Sequence, residues 1–410
     1  MRSGTTLRRL AVRAARAVLA LVPDPVLGRI LPGRLGWRVH PLPVSQAPDG
    51  DVRLLIAPVN SAGQGFRWAR AAETLPGVGA ANLETTSTGM AAFGFPADTS
   101  VPEGAFLFAR GWQRRQRHAV LGGFTHAMLE SGRYLYGTDP GRTPVQVARD
   151  TERHGVRVAL LWHGSDIRLP SAHAAWEQDS PFGERGAYPS DSTRILEANA
   201  RAHRRMVEDS DFPVFVSTPG LLDVPRSRWL PVVVDPARWR AEHSPLTGAV
   251  PVVAYVPSNS PLKGGPQVDE QLAALEREGL IVYRRLERIP AEQMPDVYRQ
   301  ADIVLDQFRI GDYGVAACEA MAAGRLVIGH VHADVRRTVE RLTGHELPLI
   351  ETRIDEVGPR IREIVSDPAR WAAVAAAGPA FVDAVHDGAA SARAMREFLL
   401  GDSAGRHASR

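Results

Sequence analysis

The stretch SNSPLKGG, residues 258–265, holds the only lysine in a chain of 410 residues that carries 49 lysine and arginine side chains. Arginine presents a wide planar fork, whereas lysine presents a compact, strongly hydrated point charge on a flexible stem. Beside Gly264 and Gly265 that difference has a chemical use, because where backbone amides already crowd an anion only the smaller head fits. The segment follows an apolar run, PVVAYVPS, and precedes a helical pattern opened by Pro266, a residue suited to a first helical turn. A helix N-terminus with glycines before it offers bare N–H groups to an anion, and Lys263 adds the full charge. This reads as a phosphate cradle, though not of the Walker type, since G-x-x-x-x-G-K-[ST] is absent. The bland reading is a drift towards arginine that spared one lysine. A second terminus follows: residues 301–331, ADIVLDQFRIGDYGVAACEAMAAGRLVIGHV, read as strand, glycine-containing loop, helix from about Tyr313, C-cap at Gly324 and strand. Two helix N-termini aimed at one crevice suit a diphosphate better than a monophosphate.

The elements that must position these groups are short apolar runs separated by helical patterns. RLLIAPV (53–59), VRVALLWH (156–163), FPVFVST (212–218), PVVAYVPS (251–258), LIVYRRL (280–286), ADIVLDQF (301–308) and RLVIGHV (325–331) read as strands. Several are apolar on both faces, as in parallel sheets covered by helices. Amphipathic stretches such as QVDEQLAALEREG and MPDVYRQA lie between them, so the class is α/β, doubly wound, twice over. The join falls near LPVVVDPARW (230–239). We divide the chain into a basic N-terminal extension (1–50), a first Rossmann-like domain (51–232), a second (233–385), and a C-terminal helix and tail (386–410).

Bulk composition narrows the class. The length favours two domains, and 44% hydrophobic with 23% charged residues reads as soluble and globular. A net charge of +3 gives no case for a nucleic-acid partner. The lone cysteine, Cys318, excludes an intramolecular disulfide, fits a reducing compartment, and is most simply a small core residue. No apolar run reaches the length of a membrane span. The N-terminus is basic and then apolar, but its unbroken apolar run is only Ala17 to Val22, with no small-residue cleavage site before Pro23, which argues against a signal peptide. On a helix, Leu7, Leu10, Ala14, Ala17, Val18 and Leu21 share one face and Arg9, Arg13 and Arg16 another. Such a helix lies on an anionic membrane surface or on the protein's own surface. The expected location is cytoplasmic, peripheral at the inner membrane face under the first of these readings.

YVPSNSPLKGG followed by DQFRIGDYGVAACEAMAAGRLVIGHV resembles the donor half of retaining glycosyltransferases of family 4, which have the GT-B architecture and carry K-G after one strand and E-x-F-G-x-x-x-x-E-A-M-A-x-G-x-P-V-I later. LLWHGSDIR (160–168) is similar to their H-G-S-D/E-x-R element, and VSTPGLLDVPRSRWLPVVVDPARW to their interdomain junction, so the resemblance spans roughly residues 51–400. It implies two Rossmann-like domains facing a cleft, the first on the acceptor side and the second holding a nucleoside-diphosphate sugar. It implies transfer of a sugar to an acceptor hydroxyl with retention and without a metal or other cofactor, the leaving phosphate helping to deprotonate the acceptor. Polysaccharide, glycolipid or cell-envelope glycoconjugate synthesis is the implied setting, with a saccharide or lipid-linked acceptor. Carried onto this chain, Lys263 contacts the diphosphate, Ser258, Asn259 and Gly264 belong to the same nucleotide loop, Glu319 binds the ribose, and the amides of Gly314 and Val315 face phosphate or sugar. His163 lies near the transferred sugar. The loop NSAGQGFR, with Gly63, Gly65 and Arg67, and the pair Asp166 and Arg168 lie on the acceptor side, although Arg168 also reads as a partner for Asp166. Two departures stand out: the first glutamate of the family pattern falls on Gly311, its role passing to Asp312 or Asp306, and Ser258 replaces an arginine five residues before the lysine. A sugar-nucleotide epimerase and a catalytically impaired nucleotide-sugar-binding scaffold are the alternatives.

Other signals read as structural. Asp209-Ser210-Asp211 matches a metal-binding D-x-D but lies before a strand, at the wrong end of a sheet. His330-Val331-His332 lacks further ligands for zinc and reads as an ordinary loop pair. GWQRRQRHA (111–119) reads as a solvated helix face.

Overall fold

The computed structural model describes residues 22–87, 93–139, 141–183, 186, 188–257 and 263–401. The expected amphipathic helix carrying Leu7 to Leu21, and the loop residues Ser258 and Asn259, lie outside the described residues. Strands β1 (Val52–Ala57), β2 (Val78–Thr86), β3 (Thr99–Pro102), β4 (His126–Glu130), β5 (Arg157–Trp162), β6 (Val214–Val216) and β7 (Ser227–Trp229) form a seven-stranded sheet in the order β3-β2-β1-β4-β5-β6-β7. Strands β8 (Val252–Tyr255), β9 (Val282–Arg285), β10 (Ile303–Leu305), β11 (Leu326–Gly329) and β12 (Ile350–Glu351) form a second in the order β12-β11-β10-β8-β9. The pairings are parallel, and the intervening helices make the fold α/β, two parallel-sheet domains as expected from the alternation of apolar and amphipathic segments.

All seven apolar runs read as strands are strands. The five others were hidden because they are short or carry polar residues among the apolar ones. β2 contains Asn82, Glu84 and Thr85, and Asn82 exchanges hydrogen bonds with Asp98 through its amide and side-chain oxygen. β4 ends on Glu130, which is fully buried because its carboxylate accepts the amides of Val59 and Asn60. Tertiary partners, not propensity, decide these segments.

Compactness divides the described chain into one unit of residues 22–87, 96–160 and 399–401 and another of residues 93–95 and 161–398. In the second unit, Val253, Ile303, Leu305, Leu326 and Ile328 from the sheet pack with Val268, Leu272 and Ile361 from its helices. Burying each such side chain contributes about 1.5–3 kcal/mol. Register places Tyr255 of β8 beside Leu305 of β10, and Leu305 beside Ile328 of β11. The loops after these three strands therefore leave the sheet side by side, at its carboxyl edge, where ligands of open α/β sheets bind. Among the described residues no helix is long and apolar enough to cross a membrane.

Candidate active site

Lys263 stands where the loop after β8 enters the helix Gly265–Arg277. The capping residue Gly264 has φ 104°, a conformation that side-chain-bearing residues rarely adopt, and a Cβ there would lie 2.6 Å from Val268 Cγ2. Tyr255, the last residue of β8, donates its hydroxyl to the Lys263 carbonyl at 2.9 Å and so ties the loop back to the strand. Lys263 is only 8% exposed, and its Nζ lies 3.1 Å from Oδ1 of Asp306, the first residue after β10. Asp306 is 2% exposed, and its other oxygen accepts the Gly314 amide at 3.2 Å. Gly314 caps the helix Val315–Ala322 in an extended conformation, and a Cβ on it would meet nothing within 4 Å. One carboxylate thus joins the lysine to a helix N-terminus that is open on its outer side. Val315 begins that helix and Glu319 lies one turn in, both partly exposed.

Asp312 is buried. Its Oδ2 accepts the Gly220 amide at 3.0 Å and lies 3.7 Å from Arg168 Nη2, and its Oδ1 accepts the Tyr313 amide at 3.0 Å. Burial pushes its carboxyl above the usual range, against the pull of Arg168. Arg168 therefore has a carboxylate partner in Asp312. Asp166 makes the turn: it accepts the amides of His163 at 3.0 Å and Gly164 at 2.8 Å, while Ser217 Oγ donates to the His163 carbonyl at 3.1 Å. These bonds hold His163, half-buried, at the carboxyl end of β5. A cavity of about 380 Å³ opens beside Arg168, walled by Trp176, Arg204, Gly220 and Asp334, within the range of small-ligand pockets. Tyr313 is anchored separately: its hydroxyl donates to His386 Nε2 at 3.2 Å, and His386 Nδ1–H donates to the Val232 carbonyl at 2.8 Å.

The helix Pro170–Trp176 and the residues after it are seated on the ends of β10, β11 and β12. His173 Nε2–H donates to the Ile310 carbonyl at 3.1 Å and its Nδ1 accepts from Ser180 Oγ at 2.7 Å, so the ring is neutral; burial, with Arg168 nearby, lowers its pKa to about 4. Glu177, fully desolvated, lies 2.6 Å from His330 Nε2 and accepts Arg353 Nη1 at 2.9 Å. His330 Nδ1 lies 2.5 Å from Glu351, and Arg353 also reaches Asp179 at 2.8 Å. Burial alone would discharge both partners. For His330 the hydrogen bonds to Glu177 and Glu351 win and raise its pKa to about 9; for Glu177 the hydrogen bonds from His330, the Asp179 amide and Arg353 win and lower it to about 2. Trp176 packs on His332, with ring centroids 4.0 Å apart. His330 is thus an ion-pair centre, and His332 caps the helix Ala333–Thr343 by accepting the Asp334 amide.

In the first unit, the turn after β1 carries positive φ at Asn60, Ala62 and Gly63 before the helix Gln64–Ala72. Asn60 is buried; its Oδ1 accepts the Phe66 amide at 3.0 Å and its Nδ2 donates to Glu84 at 2.8 Å. Gly65 packs closely here, since a Cβ on it would sit 3.2 Å from Asn60 Oδ1. Gly63 and Gly65 are buried, and Arg67 is partly exposed on the first turn of that helix.

Residues 263–397 match the family model described as glycosyl transferase-like. No curated protein matches the sequence. Among solved structures, the chain is similar to Anabaena HepE in complex with UDP and glucose, at 12% identity over 84% of this chain and 98% of that one, with a TM-score of 0.53. It is also similar to an alpha-glucosyltransferase in complex with UDP, at 10% identity over 84% and 99%, with a TM-score of 0.52. These are GT-B glycosyltransferases, and at such identities the likeness establishes the architecture: two parallel-sheet α/β domains of the GT-B kind.

The matched segment begins on Lys263 itself. Of the residues singled out from the sequence, Lys263, Asp306 and Gly314 meet around one carboxylate, and Asp312 meets Arg168. His163 and Asp166 share one turn. Glu177, Glu351 and Arg353 were missed, and His330 was read as an ordinary loop histidine, because Glu177 sits in the unremarked stretch AAWEQDS and its partners are 153 and 176 residues away in sequence.

Proposed function

We propose that the protein is a glycosyltransferase that moves a sugar from a nucleoside-diphosphate donor to an acceptor hydroxyl, with retention and without a metal. The observation that carries this is the buried Lys263 at the start of a helix, sharing one carboxylate with the Gly314 amide at the carboxyl edge of a parallel sheet. As the sugar–phosphate bond breaks, negative charge grows on the leaving diphosphate, and a prepositioned ammonium and amide stabilise it more in the transition state than in the ground state. Glu319, one turn into the helix Val315–Ala322, can accept ribose hydroxyls. His163 serves at the transferred sugar, and Asp312 acts through Arg168, whose guanidinium it fixes. The acceptor, a saccharide or lipid-linked saccharide of an envelope or polysaccharide pathway, engages the 60–67 turn. The solved complexes of structurally similar proteins with UDP make uridine nucleotides the first to try.

The test is a thermal-shift panel with UDP, GDP, ADP and dTDP on the wild type and on Lys263→Ala. A ligand at about 100 times its Kd adds about 2.7 kcal/mol of stability. One nucleotide should stabilise the wild type and not the variant, and sugar transfer from the matching donor should fall by about 2–4 kcal/mol of barrier in Lys263→Ala. No shift with any nucleotide at millimolar concentration, in the wild type and in Asp306→Asn alike, removes the donor-site reading. Change of the donor sugar without an acceptor would indicate an epimerase instead.

A further inference from the structure

The Lys263–Asp306 pair deserves a role of its own, and the inference drawn from it rests on the donor-site reading above. In the described structure the two groups proposed to receive the donor phosphate, Lys263 Nζ and the Gly314 amide, are already satisfied by the two oxygens of Asp306, at 3.1 and 3.2 Å. Asp306 is 2% exposed and Lys263 8%, so neither charge has water to fall back on. A lysine this deep would be costly without a counter-anion. A diphosphate reaching the same two donors meets a carboxylate within hydrogen-bond distance of both, and like charges at that spacing repel in a site of low dielectric.

We propose that Asp306 is the internal counter-anion of the donor cradle: it holds Lys263 oriented when no donor is bound, competes with the donor diphosphate for Lys263 and the Gly314 amide, and on its return hastens departure of the nucleoside diphosphate. No bond is made or broken; two hydrogen bonds pass from a carboxylate to a phosphate and back. Asp306 is then a specificity-determining residue. It weakens the hold on any anion, so that retention of the donor depends on contacts to the nucleoside and the sugar, and free phosphate is turned away. Gly314 leaves space on its outer side, so the phosphate has an approach that does not require the helix Val315–Ala322 to move.

The experiment measures calorimetric affinity for UDP, uridine and inorganic pyrophosphate, with GDP, ADP and dTDP as replacements for UDP, on the full chain as wild type, Asp306→Asn, Asp306→Ser and Lys263→Ala. Asp306→Asn keeps the shape and an acceptor for the Gly314 amide. It is expected to bind the nucleoside diphosphate about tenfold tighter than the wild type, to gain measurable affinity for pyrophosphate, to leave uridine unchanged, and to slow nucleotide release in stopped-flow displacement. Binding by Asp306→Asn alone, with a silent wild type, supports the proposal in stronger form. Equal or weaker nucleotide binding by both Asp306 variants, with a wild type that does bind, overturns the counter-anion role while leaving the donor site standing. Absence of nucleoside-diphosphate binding in the wild type and both variants removes the donor site and this inference together. Failure of both Asp306 variants to fold, judged by circular dichroism, marks the pair as structural and overturns the proposal as well.

Discussion

Gly311 stands where the resembling family carries a glutamate, and the space beside it is taken. Its φ is 65°, and a Cβ would lie 2.9 Å from Glu177 Oε2 and 3.3 Å from both the Trp176 ring and His332 Cβ. The missing carboxylate is therefore not restored by adding it back. Gly311→Glu places a side chain in the left-handed region and a second carboxylate against Glu177, and we expect it to lower stability by about 1–3 kcal/mol with no gain in transfer. Urea denaturation and a transfer assay check this. A stable, more active variant would mean that the helix Pro170–Trp176 lifts away in the working enzyme. At this scale the sequence was legible where composition singled a residue out, as with the lone Lys263. It was silent where a residue matters only through a distant partner, as with Glu177 and His330.

The helix Pro170–Trp176 and the residues to 183 are held down by ionisable groups, so their hold depends on pH. His330 faces Glu177 and Glu351; Glu177 also faces Arg353, which pairs with Asp179; and Glu351 lies 3.6 Å from Arg336. His330 is raised from 6.5 to about 9, so its contribution is complete below pH 6.5 and is lost as pH rises through 9. Glu177 is lowered from 4.5 to about 2, so its contribution is complete above pH 4.5 and is lost as pH falls towards 2. The Glu177–His330 pair is at full strength between those limits, around pH 4.5 to 6.5, whereas neutral His173, lowered from 6.5 to about 4, gives up its contribution as pH falls below 6.5. Hydrogen exchange of residues 170–183 should accelerate on going from pH 6 to 9.5, beyond the intrinsic base catalysis of an unprotected peptide. Glu177→Gln should weaken that extra pH dependence and cost about 1.5–3 kcal/mol, since it removes one of the two carboxylates that hold the His330 imidazolium. A pH-independent protection factor in the wild type would show that packing of Trp176 on His332, not the ion network, holds the element. None of this element's contacts were readable beforehand, because they cross from one strand's carboxyl end to a helix more than a hundred residues earlier.

At the scale of the molecule the fold was legible because its strands are buried on both faces and write themselves as apolar runs, while β2, β3, β4, β7 and β12 were not, being polar, short or at an edge. The proposed division of labour follows from where the candidate residues lie along the chain. Lys263, Asp306, Gly314 and Glu319 all belong to the second compact unit, whereas the Asn60–Arg67 turn, with its buried Asn60 and Glu130, belongs to the first. A nucleoside diphosphate alone should therefore slow hydrogen exchange in residues 263–268 and 306–319 and leave the 58–67 amides unchanged. Protection of the 58–67 turn should come only with the acceptor or with the intact sugar donor, because Lys263 and the Gly314 amide, the groups proposed to receive the phosphates, belong to the other unit. The turn's own order argues the same way. Val59 and Asn60 donate their amides to the buried Glu130, so those two N–H groups are already taken and are not offered to an anion. If UDP by itself protects that turn as strongly as it protects residues 306–319, the two units do not divide donor from acceptor in this way. The acceptor would then have to be sought near Arg168 and Arg204, in the cavity of the second unit.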